Sequence, residues 1–205
     1  SLQAVVLSLD WRDIGFGSSG DDVRSSIKYL RETSEVQQQP IVIMGLDYGA
    51  YLSLAQLSAL DVQGFIAAYG FFNPASHYQF LQEKDPAAAT RFLTQTGCNL
   101  AVQLTQCLGD LSLLSSIPKT VPILALHNTK DPLVNVAESQ ALVNAANIND
   151  ALRATLVIFD GTESEHYFLE DASSALFTPA LSAMKDWMTE IIVRMNAKNS
   201  PQENQ

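Results

Sequence analysis

Short apolar runs alternate with amphipathic stretches along most of the 205-residue chain. Residues 4–9 are rich in valine and leucine, which predicts a buried strand running into the loop DWRDIGFGSSGDD. Val23, Ile27 and Leu30 then fall on one helical face, with Ser19, Asp21 or Asp22 as candidate caps for the exposed amides. PIVIMG reads as a second buried strand, and residues 48–60 as a helix whose small residues allow close packing on a sheet. Three more strands are predicted over 62–69, 121–126 and 155–159, with a helix around 136–148 between the last two. Buried strands separated by helices predict an α/β fold with a mainly parallel sheet flanked by helices.

Residues 72–119 break this rhythm, with helical patches and no convincing strand. They read as an insertion over one end of the sheet, either a substrate lid or a packed structural cap. Near the C-terminus, Leu181, Met184, Trp187, Met188, Ile191, Ile192 and Met195 form an apolar stripe at helical spacing, expected to close over the sheet as core. Residues 1–195 therefore read as one domain, and 196–205 as a disordered polar tail.

An apolar content of 47% fits one substantial core, and two complete domains would be a tight fit. The formal net charge of -10, with no basic cluster, repels phosphate backbones and anionic lipid surfaces, so nucleic acid is excluded as a partner class. No apolar run approaches the roughly 20 residues of a membrane span, so a soluble protein without membrane insertion is expected. The opening SLQAVV has neither methionine nor leader, which reads as a processed, trimmed or excised chain whose compartment is open. Cys98 and Cys107 have no ligand partners nearby, which argues against zinc; they are either a local disulfide or two thiols on a semi-buried helix. No spacing suggests a metal site, and no cofactor is expected.

Ligands of parallel sheets bind at loops following the carboxyl ends of strands. Asp47 follows PIVIMG, Asp131 follows VPILAL, and His166 lies in DGTESEHYFLED after the last strand. Nucleophile position, acid, histidine is the order of the α/β-hydrolase triad. Each residue also has an ordinary explanation: Asp47 as a helix cap, Asp131 as a turn former before Pro132, and His166 as an exposed loop residue.

The segments DDVRSSIKYLRE, GLDYGA, FIAAYGFF, VPILALHNTKDPLV and HYFLED together resemble stretches of the α/β-hydrolases, most closely the dienelactone hydrolases, over most of residues 4–195. The resemblance implies that Asp131 orients the histidine, that His166 transfers protons and activates water, and that the backbone N–H of Tyr48 is one oxyanion donor. It also gives His127 a structural hydrogen-bonding role. His77, alone among aromatics in the insertion, reads as a cap residue rather than a ligand.

Asp47 stands where that family carries serine or cysteine. A carboxylate attacking an acyl carbon forms a reactive anhydride, whereas attack on an sp3 carbon forms an enzyme ester that activated water cleaves. Haloalkane dehalogenases and epoxide hydrolases work this way, with tryptophan after the aspartate or lid tyrosines stabilising the leaving group. Here the following residue is Tyr48, and Tyr69 and Tyr78 are the positional candidates for the lid tyrosines. The opening AVVLSLDWRDIGFGSSG resembles the family's fourth strand and its following loop. That match implies that three earlier strands and a second oxyanion donor are missing from this sequence, at about 10² to 10³ in rate for the donor. Because the family's third strand lies between its fourth and fifth, its absence predicts rearranged pairing or a missing segment. Two function classes remain. One is a hydrolase of a small ester, lactone, halide or epoxide. The other is a non-catalytic relative that binds a ligand or serves in a protein assembly, with Asp47, His166 and Asp131 as an ion-paired network.

Overall fold

A computed structural model of the chain describes residues 5–9, 20–100, 102–148, 153–160 and 165–199. Four strands, β1 (Val42–Leu46), β2 (Gly64–Ala68), β3 (Ile123–Asn128) and β4 (Ala154–Phe159), form one parallel sheet in the order β1-β2-β3-β4. Each predicted strand from PIVIMG onward is present. Side chains alternate across the sheet because successive residues of a strand point to opposite faces. Phe65, Ala67, Ile123 and Ala125 pack on one face, whereas Ile66, Ala68, Leu124 and Leu126 pack on the other.

The first face is covered by α1 (Gly20–Glu32), α2 (Tyr48–Gln56) and α6 (Ala137–Ala146), through Val23, Ile27, Ala50, Leu54, Leu142, Val143 and Ala146. Asp21 and Asp22 lie inside the first turn of α1, where they complement the helix dipole rather than cap it. Ser19 lies outside the described residues. The second face is covered by α7 (Phe177–Asn199), which buries Ala180, Met184, Trp187 and Ile191 at helical spacing. Leu181 departs from the expected stripe and is exposed, because it lies about 100° around the helix from Ala180. α7 also runs to Asn199, past position 196 where the sequence places the start of the polar tail; residues 200–205 lie outside the described residues.

The strand expected over residues 4–9 does not form across its described part, 5–9, and Val5 and Val6 are 78% and 85% exposed. Leu9 alone of this segment packs against the core. A strand needs a partner ladder, and among the described residues the outer edge of β1 has none.

Residues 72–119 are helical as expected, comprising α3 (Pro74–Lys84), α4 (Pro86–Thr96) and α5 (Leu104–Asp110). Asn73 caps α3, Asp85 caps α4 by accepting from the Ala87 and Ala88 amides, and Gly97 ends α4 at φ 77°. Cys98 and Cys107 form a disulfide that ties the end of α4 to α5. This cap packs on α2 through Tyr51, Leu52, Phe71, Leu81, Phe92 and Leu108. Among the described residues no helix is long and apolar enough to cross a membrane.

One buried carboxylate, which sequence reading misses, fastens the cap. Glu138 in the first turn of α6 accepts from the backbone amides of Phe72 (2.8 Å) and Asn73 (2.9 Å) and from the Ser76 hydroxyl. Glu138→Gln keeps the shape but removes the charge-assisted bonds and puts an NH2 group within reach of two amides. It is expected to cost about 2–3 kcal/mol. Urea unfolding of the two proteins measures this; unchanged midpoints would show that the clamp contributes nothing.

Candidate active site

The turn from β1 into α2 is set by close packing. A Cβ on Gly45 would lie 2.5 Å from Ala50 Cα, so only glycine lets the helix start this near the strand. Asp47 sits at the corner with φ 48° and ψ -121°, and Tyr69, after β2, has φ 42°. Such backbone costs of order 1–3 kcal/mol for a non-glycine residue and is held by its surroundings. Here the Asp47 amide donates to Ala68 O at 3.0 Å and the Tyr69 amide to Leu126 O at 2.8 Å, locking both corners to the next strand.

The Asp47 side chain makes no cap hydrogen bond to α2, which removes the ordinary explanation for it. Its Oδ2 lies 3.7 Å from His166 Nε2, an ion-pair separation that leaves Nε2 without a hydrogen-bonded partner. The other ring nitrogen, Nδ1, meets Asp131 Oδ2 at 2.7 Å. Asp47, His166 and Asp131 therefore converge from three separate loops at the carboxyl edge of the sheet. His166 is 3% exposed, not a surface loop residue, whereas the Asp47 side chain is 36% exposed.

Asp131 does shape its turn, and it reaches the histidine at the same time. Oδ1 accepts from the Leu133 and Val134 amides at 2.8 and 2.9 Å, leaving Oδ2 for His166. His127 Nε2 lies 3.3 Å from the same Oδ2 and 3.1 Å from Val134 O, while Nδ1 meets Ser139 Oγ at 2.7 Å. These contacts give His127 the hydrogen-bonding place expected of it. Asn128 at the end of β3 donates to Glu165 O, holding the histidine loop beside the acid loop.

Burial raises the Asp131 pKa, but hydrogen bonds from His127 and His166 and the nearby charge outweigh it and hold it at about 2. For His166, burial disfavours the charged form, yet its contacts with Asp131 and then Asp47, and the charge of both, lift it to about 9. The resting cluster is thus an imidazolium between two carboxylates.

The remaining candidates fall differently. Tyr48 opens α2, so its N–H lies at that helix's N-terminus, and its ring stacks with Tyr51 and Phe71. Tyr69 is fully buried and meets His166 edge to face with ring centroids 4.7 Å apart, but its hydroxyl donates to Glu170 at 3.2 Å. Burial and then Glu170 push that phenol far above its ordinary range, which makes it a poor acid. Tyr78 packs within the cap cluster and accepts from Gln82. A cleft of about 440 Å³ between the cap and the acid loop has Asp131 in its wall, beside Phe80, Lys84, Lys130 and Asn135, but neither Asp47 nor His166.

No protein-family model matches the sequence, and no curated protein matches it. Solved structures do resemble it. Acylaminoacyl peptidase of Pyrococcus horikoshii superposes with a TM-score of 0.63 at 18% identity, over 82% of this chain and 27% of that one. An esterase of Pyrococcus furiosus gives 0.57 at 15% identity, over 87% and 62%. A puromycin-hydrolyzing peptidase of Mycobacterium tuberculosis gives 0.54 at 16%, over 68% and 21%. The fold is of the α/β-hydrolase type, and the chain spans about a quarter of the peptidase's length.

The charged histidine leads to a pH test. A folded pKa of about 9, above the ordinary 6.5, means that His166 stabilises the fold fully below pH 6.5 and loses that contribution as pH rises through 9. The loss should be on the order of 3 kcal/mol. NMR titration is expected to find the imidazole near 9 and to see it move down in Asp47→Asn. Titration at the ordinary value in both proteins would remove the ion pair.

Proposed function

We propose that the chain is a hydrolase of a small ester, lactone or related substrate, with Asp47 as nucleophile, His166 as proton-transfer group and Asp131 as the acid that orients it. One observation carries this reading. Asp47 occupies a strained corner, makes no side-chain cap hydrogen bond, and faces a buried imidazole whose far side is fixed by a second carboxylate. The hydrolase names of the structural neighbours and the dienelactone-hydrolase-like motifs support it.

A carboxylate nucleophile selects the carbon attacked. Asp47 forms a C–O bond to an sp3 carbon, and the departing group leaves with the electron pair of the broken bond. If that group is an alkoxide, the imidazolium of His166 supplies its proton and is left neutral. If it is a halide or a carboxylate it leaves unprotonated, and the imidazolium, which loses one of its two anionic neighbours when Asp47 becomes an ester, gives its proton to solvent. The neutral ring can then take a proton from water attacking the Asp47 carbonyl, while the N–H of Tyr48 donates to the developing oxyanion. Collapse returns the alcohol, the carboxylate and the imidazolium. A charged resting histidine, unsuited to activating a serine, suits this order of events.

A second reading keeps the cluster as an ion-paired structural network in a non-catalytic protein that binds a ligand or serves in an assembly. It is favoured by the same charge on His166, since a group protonated to about 9 has almost no free base at neutral pH.

Turnover in heavy-oxygen water separates the two. The first reading expects the label in the Asp47 carboxylate by peptide mass spectrometry, no turnover by Asp47→Asn, and kcat/KM falling as pH passes 9. A panel of esters, lactones, epoxides and alkyl halides giving neither turnover nor a labelled peptide would leave the second.

A further inference from the structure

His77 has no task in the mechanism above, yet it is poorly explained as core. It is 6% exposed in α3, and its Nδ1 is buried without a hydrogen-bond partner. Its ring lies flat on Phe71 at 4.3 Å and 5°, and meets Phe92 edge-on at 4.9 Å. Phenylalanine would make the same stack without desolvating a polar nitrogen, so the imidazole carries an uncompensated cost in the free protein. Buried polar groups in this condition mark a missing partner.

The surroundings indicate where that partner lies. Phe71 also stacks with Tyr48, the residue after Asp47, at 6.2 Å. Through Phe71 the His77 ring is joined to Tyr48, on the elbow that carries Asp47. Burial, with Asp47 partly opposing it, pushes His77 down to about 4, so at neutral pH it offers a hydrogen bond and not a charge. An uncharged imidazole nitrogen can give a hydrogen bond to an ether or carbonyl oxygen, or accept one from a hydroxyl. It has much less to offer a halide carbon chain.

We propose that His77 is a substrate-binding residue of the Asp47 site, with Nδ1 hydrogen-bonded to an oxygen of the substrate. The substrate is then an uncharged oxygen electrophile, an epoxide or lactone, rather than a haloalkane. The substrate class rests on the reading of Asp47 as nucleophile; the contact itself does not.

The test uses styrene oxide and γ-butyrolactone for turnover and the diol of the epoxide, 1-phenylethane-1,2-diol, for binding. On adding the diol to the wild-type protein, the His77 Nδ1 resonance is expected to move in ¹⁵N NMR. His77→Phe, which keeps the stack, should match or exceed the wild type in urea stability while weakening diol binding and raising KM for the epoxide about tenfold. His77→Asn, which keeps a polar group near Nδ1, should recover part of the loss. Diol binding and an Nδ1 shift without turnover of styrene oxide or of γ-butyrolactone would remove the hydrolase and leave the contact standing. An unmoved Nδ1, absence of binding, or unchanged binding and kinetics in His77→Phe would overturn the contact. Preferred turnover of 1-bromohexane, unaffected by His77→Phe, would overturn the substrate class.

Discussion

Asp131 is the carboxylate on which the candidate site depends, because its two oxygens serve two segments at once. One oxygen accepts the amides of Leu133 and Val134, which fixes the turn after β3. The other accepts from His166 and lies beside His127. An acid so fully engaged has no freedom to rotate, and neither has the imidazole bonded to it. Loss of this carboxylate would free the histidine loop, leave His127 without a charged neighbour, and remove the larger attraction that keeps His166 protonated. The rest of the site is built outward from that fixed ring.

Placing a second carboxylate on the opposite side of the ring changes what the histidine can be. With a serine there, the imidazole would start neutral and gain charge during reaction. With Asp47 it starts charged, and in the reaction proposed above it becomes neutral only when Asp47 is consumed as an ester. In that proposal the same electrostatics, which leave no free base at rest, make the two half-reactions sequential. They also explain how the cluster could survive as a stabilising ion pair if the chemistry were lost, since attraction between opposite charges needs no substrate.

The cap is joined to this arrangement by polar fastening as well as apolar packing. Glu138 anchors the start of α3 to α6, the Cys98–Cys107 disulfide closes its far end, and the stacked rings of Tyr48, Tyr51, Phe71 and His77 connect it to the elbow. His77 is therefore joined through Phe71 to Tyr48 on the elbow, from a segment with no place in the strand-and-helix rhythm of the sheet.

What the sequence alone determined is what local periodicity encodes. The strands from PIVIMG onward, the helices between them, and the placement of Asp47, Asp131 and His166 after strand ends were all legible, because a parallel sheet sends those loops to one edge. The pairing of residues 5–9 was not, since an apolar run signals burial but cannot supply the neighbouring strand it needs. Nor was Leu181, which has the right character but stands to one side of the buried stripe. Tyr69 and Tyr78 were nominated by position alone; a hydroxyl's partner, Glu170 in one case and Gln82 in the other, depends on segments or turns that spacing does not reveal. Glu138 and His77 carried no signal beyond residue type. Whether a carboxylate meets two amides 66 and 65 residues away, or an imidazole is left without a partner, is decided only when distant segments close around it. Charge state follows the same rule, because desolvation and neighbouring charge exist only in the folded chain.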